Sequence, residues 1–252
     1  MSQTRLDGRS SDTPRPITIQ NGFQRFPEGS VLYSCGRTRV LIAASVEASV
    51  PPWLKGQGRG WVTAEYEMHP RCNPERQRRS RSKPSLDGRA SEIQRLIARA
   101  LRAAVRLEKL GERMISVDCD VLDADGGTRT ASITGGFVAL AIALDKLRRQ
   151  GLLERGVLRE PIAAISVGMV AGRHLVDLDY QEDSKAEVDL NVVAGASGAL
   201  VEVQGTAEGA PVPRQDFSKL LDLGAGAIPQ LVAAQRAALD AAQVDLSLLS
   251  DG

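Results

Sequence analysis

Residues 114–151 read MISVDCDVLDADGGTRTASITGGFVALAIALDKLRRQG, and two different periodicities meet inside them. MISVDCDVL alternates apolar and polar positions, as a half-buried strand does. ASITGGFVALAIALDKLRRQG reads as a helix that is apolar on nearly every side and hence buried, with Gly135, Gly136 and its alanines permitting close packing against a sheet. Between the two lies Asp123–Ala131, DADGGTRTA, a connection that sets two carboxylates before two glycines, a threonine, an arginine and another threonine.

Upstream, Gly29–Val50 holds two β-rich runs around Cys-Gly-Arg-Thr, the pattern of a hairpin. The connection PPWLKGQGRG leads to WVTAEYEM, another alternating segment, and then to a basic stretch without apolar period that reads as a loop. A helix is expected from Ser91, where Ser91 and Gln94 have capping-box spacing and Ile93, Leu96, Ile97, Ala100, Leu101, Ala104 and Val105 form one apolar face. Downstream come PIAAISVGMV and HLVDLDY, an acidic turn, VDLNVVAG and ALVEVQG, and a long helix from about Gln215. Runs of antiparallel strands separated by a few long helices predict an α+β fold of layered sheet and helix. No proline-rich or glycine-serine linker interrupts the chain, so residues 1–252 are read as one compact domain.

Composition excludes several classes. At 252 residues, 42% hydrophobic and 25% charged, the chain is that of a globular protein with a large core. Aromatic residues are only 4%, too few for a site built on many rings. Cys35, Cys72 and Cys119 are scattered and lack CxxC spacing, which supports neither a disulfide framework nor a zinc site and fits a reducing cytoplasm. The N-terminal residues have no signal-peptide core, and the longest apolar run, Phe137–Leu144, is short of the roughly 20 residues that span a bilayer, so a soluble, non-membrane, cytoplasmic protein is expected. Net charge is +1, yet Arg71–Arg89 alone holds seven basic residues against two acidic ones. Such concentration suits a polyanion, although a solvated loop of charges reads the same way.

The DADGGTRTA loop joins a strand to a helix, so the first N–H groups of that helix lack internal partners and face an incoming anion. Paired glycines allow close backbone approach, and the Arg129 guanidinium matches phosphate with two parallel bonds. The plainer alternative is a turn with Thr128 or Thr130 as N-cap. Arg89, two residues before Ser91, sits near a second helix start, and the two arginines can serve one tetrahedral anion if they converge. Neither GxxxxGK[ST] nor a GxGxxG after a strand is present.

In DLDYQEDSKAEVD (177–189), strand alternation predicts Asp177 and Asp179 on one face, with Asp183 in the turn and Asp189 opening the next strand. A tight reversal would bring Asp183 and Asp189 together as oxygen ligands of the kind magnesium accepts, or leave an ordinary solvated acidic turn. Only two histidines occur, so a histidine-rich hydrolase is not expected, and His69 reads as a loop or packing residue. Asp118 and Asp120 read as edge or hydrogen-bonded carboxylates.

In order along nearly the whole chain, RLDGR (5–9), RPITIQNGF, EGSVLYSCGRTRVL, GWVTAEYEM, EIQRLIARALRA, VDCDVLDADGGTRTASITGGF, DYQEDSKAEVDLNVV and VEVQGTAEG resemble the ribonuclease PH family of phosphate-dependent exoribonucleases. The resemblance implies a fold of two β-α-β-α halves like ribosomal protein domain 2, with sheets packed on helices. It implies phosphorolytic 3′-to-5′ trimming of tRNA precursors and other RNA 3′ ends, with release of nucleoside diphosphates. Arg89, Gly127, Thr128 and Arg129 would hold inorganic phosphate, the co-substrate. Asp183 and Asp189 would be the catalytic carboxylates and Mg2+ ligands. Arg71, Arg76, Arg79 and Lys83 would engage RNA or a neighbouring subunit, in a homohexamer built as a trimer of dimers. His69, Ala90, Arg106 and Asp123 depart from the family pattern, and Asp123 adds negative charge near the phosphate. A non-catalytic exosome-type RNA-binding ring subunit and a hydrolytic nuclease are the alternatives.

Overall fold

A computed structural model describes residues 5–78 and 88–250. The first lobe contains β1 (Ile17–Asn21), β2 (Gly29–Cys35), β3 (Thr38–Glu47), β4 (Trp61–Met68), α1 (Gly88–Ala103), α2 (Leu107–Leu110), β5 (Met114–Asp123) and α3 (Thr128–Arg149). The second contains β6 (Ile162–Val170), β7 (Arg173–Val176), α4 (Tyr180–Asp183), β8 (Val188–Gly195), β9 (Leu200–Ala207), α5 (Arg214–Ala241) and α6 (Leu246–Leu249). Taken as groups of strands and helices, both lobes run β-α-β-α. The first sheet has the order β1-β2-β3-β5-β4 and the second β7-β6-β8-β9.

The expected hairpin is β2–β3, pairing Cys35 with Thr38 across a turn where Gly36 takes φ +57°. Not every pairing is antiparallel, however: β4 and β5 run parallel, from Trp61 beside Met114 to Met68 beside Val121. Parallel neighbours require a crossover, here supplied by the segment that carries α1. Among the described residues α1 begins at Gly88, so Ser91 lies inside the first turns and forms no capping box; Gln94 Nε2 instead donates to the Tyr66 carbonyl at 3.5 Å. Apolar period determines which side of a helix is buried, not where its first turn starts.

Helix α3 also begins earlier than its apolar pattern, at Thr128, because Gly127 at φ +66° provides the reversal into it. Its length and composition would suffice to cross a membrane, but 89% of the apolar window is buried inside the protein. Ile133, Phe137, Leu140 and Leu144 pack into a cluster that takes in β2, β3 and β5 of the first sheet, Ile162 and Ala164 of β6, and Leu239 of α5. Full burial of a Phe or Leu side chain is worth about 1.5–3 kcal/mol. At Gly29 a Cβ would come within 1.9 Å of the Ala139 carbonyl oxygen, so β2 and α3 touch backbone to backbone.

A second cluster, including Ile165, Val167, Val192, Leu220, Ile228 and Leu231, fills the space between the other sheet and α5. Polar groups join the lobes at depth. Thr134 Oγ1 donates to the Ala164 carbonyl at 3.1 Å, and Gln235 Nε2 donates to the Thr134 and Ile162 carbonyls, both at 2.9 Å.

Candidate active site

The connection after β5 folds as a cradle. Gly126 and Gly127 take φ +77° and +66°, a left-handed pair that glycine adopts without steric cost. α3 therefore starts with no side-chain cap on its leading amides. Thr130 Oγ1 donates back to the Gly127 carbonyl at 2.9 Å, so Thr130 belongs to the helix and is not its N-cap. Thr128 Oγ1 lies 2.8 Å from the Tyr66 hydroxyl at the far end of β4. Arg129, mostly buried, reaches Gln204 Oε1 of β9 at 3.4 Å and lies 3.8 Å from Glu92 Oε1 of α1.

The acidic segment differs from its expected form. β7 ends at Val176, and Asp177 leaves the strand at φ +54°, so alternation does not carry Asp177 and Asp179 onto one face. Asp177 is buried against Arg15, whereas Asp179 caps α4: its Oδ1 accepts from the Glu182 N–H at 3.0 Å while Glu182 Oε2 accepts from the Asp179 N–H at 3.2 Å. The acidic turn is thus a one-turn helix ending in Asp183, and Asp189 is the second residue of β8.

Asp183 and Asp189 do converge. Burial first, and the charge of Asp183 second, push the Asp189 carboxyl up to about 6, while Arg129 and Arg89 pull against that rise. The Asp183 carboxyl is raised by burial too, with Arg89 and then Arg129 holding it down and Glu208 adding to the rise. Tyr66 is raised by burial, against the hydrogen bond to Thr128 and the charges of Arg89 and Arg129. Arg89 and Arg129 stand at the starts of two different helices, yet both act on these same three groups.

Two partly buried carboxylates, the charge of one acting on the other, are a fit donor set for a hard cation that retains most of its water. No group of three or more His, Cys, Asp or Glu side chains forms a metal cage among the described residues. Arg71 and Arg76 are exposed in the irregular segment after β4, and the Cys72 carbonyl there accepts from the Ala124 N–H at 2.9 Å, so this segment abuts the cradle. Arg79 and Lys83 lie outside the described residues. Asp123 is paired with Arg39 Nε at 2.5 Å, which offsets the negative charge it adds. Arg106, the residue before α2, donates to the Gly156 and Leu158 carbonyls at 2.8 and 2.6 Å, joining the start of α2 to the inter-lobe segment.

Several partners had no signal in the residue pattern. Tyr66 is one apolar position among others on β4, and Gln204 one polar position on β9. Arg15 and Asp177 sit well apart in sequence, and although each lies inside a stretch already quoted, nothing in either stretch pairs them.

A family model described as the 3′ exoribonuclease family, domain 1, matches residues 13–144, and its domain 2 counterpart matches residues 160–227. The chain is 52% identical over 242 residues to a ribonuclease PH of Crocosphaera subtropica, covering 96% of this chain and 100% of the relative. It is 53% identical over 234 residues to a ribonuclease PH of Bacillus pumilus, covering 92% and 97%. In fold it is similar to rice (Oryza sativa) Rrp46, with TM-score 0.75 at 16% identity over 93% of this chain and 100% of that one. It is likewise similar to a chain of the Archaeoglobus fulgidus exosome with RNA bound to the active site, with TM-score 0.73 at 24% identity over 91% of each.

Proposed function

The chain belongs to the ribonuclease PH family of 3′ exoribonucleases, and we propose that Arg89, Gly127, Thr128 and Arg129 seat its phosphate while Asp183 and Asp189 attend the leaving oxygen. The enzyme is a phosphate-dependent tRNA nucleotidyltransferase that trims tRNA 3′ ends by phosphorolysis, with inorganic phosphate as co-substrate. A phosphate oxygen attacks the phosphorus of the terminal linkage. The bond from that phosphorus to the preceding ribose O3′ breaks, releasing a nucleoside 5′-diphosphate and an RNA one nucleotide shorter. Because a phosphodiester is exchanged for a phosphoanhydride, the reaction runs backward when diphosphates are abundant.

The chemistry asks for two anions side by side, attack in line, and a proton for the departing oxygen. Arg89 and Arg129 neutralise the anions, and the free amides at the start of α3 orient the attacking phosphate. Asp189, with its carboxyl pushed up to about 6, is the group suited to exchange a proton near neutral pH. Asp183 and Asp189 would hold Mg2+, which when bound supplies charge neutralisation at the crowded oxygens. What carries this assignment is that two arginines from separate helices act on the same pair of carboxylates.

We place the active form in a homohexamer, a trimer of dimers, with Arg71, Arg76, Arg79 and Lys83 meeting RNA or the adjoining subunit. Residues 1–252 act as one folding domain in this reading, working in the cytoplasm, where three buried free cysteines remain reduced. The test is to incubate 3′-extended RNA with and without phosphate and to identify the released nucleotide. Diphosphate released only with phosphate supports the assignment. Monophosphate would indicate a hydrolase, and no release a non-catalytic ring subunit.

A further inference from the structure

The segment before β1 takes no part in the reaction as described, yet it is bound into both halves of the site. Arg15 is buried, and its side chain spans two lobes. Toward the second lobe, Arg15 Nε donates to Asp177 Oδ2 at 2.8 Å and Nη2 to Oδ1 at 2.6 Å, while the Arg15 backbone N–H donates to Oδ2 at 2.7 Å. Toward the first, Nη1 donates to the Asp125 carbonyl at 2.5 Å and Nη2 approaches the Gly126 carbonyl at 3.4 Å.

Its neighbours extend the connection. Arg5 Nε and Nη2 engage Glu182 at 2.8 and 2.5 Å, and Arg5 Nη1 and Nη2 reach the Val176 and Asp177 carbonyls at 2.7 and 2.8 Å. Glu182 belongs to the capping box of α4, whose next residue is Asp183. On the other side the glycine loop meets the same arm directly: a Cβ on Gly126 would stand 2.3 Å from the Leu178 carbonyl oxygen.

We propose that the Arg15–Asp177 pair is a positioning clamp that fixes the glycine loop of the first lobe relative to the carboxylate arm of the second. The clamp rests on the residue roles proposed above, since its use is to hold the phosphate donors in line with Asp183 and Asp189. Asp177 has a left-handed backbone that a non-glycine residue keeps only when its surroundings over-determine it. Five arginine side-chain hydrogen bonds into the Asp177 carboxylate and carbonyl, from Arg5, Arg9 and Arg15 alike, provide that restraint. A buried ion pair contributes little to stability compared with apolar packing of like volume, so holding a geometry is the better account of this one. Burial opposes both charges, yet the bonds between them hold Asp177 below the usual carboxylate range and raise Arg15.

The experiment compares Asp177→Asn with wild type in phosphorolysis of 3′-extended RNA across a range of phosphate concentrations. A misplacement of about 1 Å costs on the order of a hundredfold in rate, so kcat/KM for phosphate should fall by about tenfold to a hundredfold. RNA affinity, read by fluorescence anisotropy without phosphate, should change by less than about twofold. Hydrogen exchange should show residues 125–129 and 180–183 losing protection together. Gln235→Met removes two buried bonds away from the clamp, and below its unfolding range it should leave both kinetic constants unchanged.

If Asp177→Asn does not fold, Arg15→Lys keeps the charge but loses reach to the loop carbonyls, and the same fall in kcat/KM is expected. A folded variant within about twofold of wild type in kcat/KM for phosphate overturns the clamp, as does loss of protection in one segment alone. Wild type run alongside separates the two ideas. Monophosphate release from wild type would remove the site assignment itself, whereas phosphate-dependent wild type beside an equally active Asp177→Asn removes only the clamp.

Discussion

Replacing Asp189 with Asn should stabilise the metal-free protein at neutral pH while abolishing phosphorolysis. Burial, and then Asp183, push the Asp189 carboxyl from 3.8 to about 6. Each pKa unit corresponds to about 1.4 kcal/mol between protonation states, so ionised Asp189 costs the folded protein up to about 3 kcal/mol. Because the side chain is only partly enclosed, solvent screening reduces this to about 1–3 kcal/mol. The unfolded chain releases the proton near pH 4 and the folded chain near 6. The residue's favourable contribution is therefore complete below about pH 4, declines as pH rises, and is lost above about pH 6. Asn carries no such dependence. Its advantage over wild type should be near zero at about pH 3 and reach its plateau by about pH 7. Urea unfolding at fixed protein concentration, with a chelator and without phosphate, measures the gap. Asp183→Asn in wild type should narrow the gap by removing the like charge, and Arg129→Ala should widen it by removing the opposing one. A gap that does not vary with pH, or one that responds to these two changes in the reverse sense, refutes the reasoning.

Arg129→Ala should lower phosphorolysis by about a hundredfold to a thousandfold, the usual loss when one charged donor is removed, and leave RNA affinity by filter binding largely intact. The logarithm of RNA affinity should fall with that of salt concentration, with a slope of about −0.7 for each neutralised phosphate, and Arg76→Ala should make it shallower by about that amount if Arg76 contacts the strand. Gly29→Ala should destabilise by about 2–3 kcal/mol in urea unfolding, because its Cβ would meet the Ala139 carbonyl of α3. With one cluster reaching from the first sheet to α5, thermal unfolding should give one transition by calorimetry; two separated peaks would mean that the lobes unfold independently.

Strand positions were readable because alternation writes burial directly into sequence: GSVLYSC with TRVLIAASVE, WVTAEYEM and MISVDCDVLD are β2 to β5. α3 was readable for the opposite reason, since a helix apolar all round has to lie inside. Where helices begin was not: Gly127 starts α3 through a left-handed backbone that leaves no apolar signature, and α1 already runs at Gly88, ahead of its apolar face. The carboxylate pair was visible as a spacing, and α4 replaced the expected turn without separating Asp183 from Asp189. Asp177 was misread as a strand residue because alternation does not register the charge that captures it; Arg15 stands 162 positions away. Contacts of that span, like the one between Tyr66 and Thr128, are decided by the assembled sheets.

Every residue of α3 from Thr130 to Ala141 is buried. A rod enclosed to that depth does not tilt or rewind without displacing both sheets, so the amides at its tip remain aimed whether or not an ion is there. An ion of five heavy atoms offers little contact area with which to organise a mobile host, and its affinity falls by whatever ordering remains to be done on arrival. In the proposed seat that ordering is completed while the chain folds, and an incoming phosphate would exchange water for donors already in place. The same glycines, threonine and arginine on an unsupported loop would bind it more weakly.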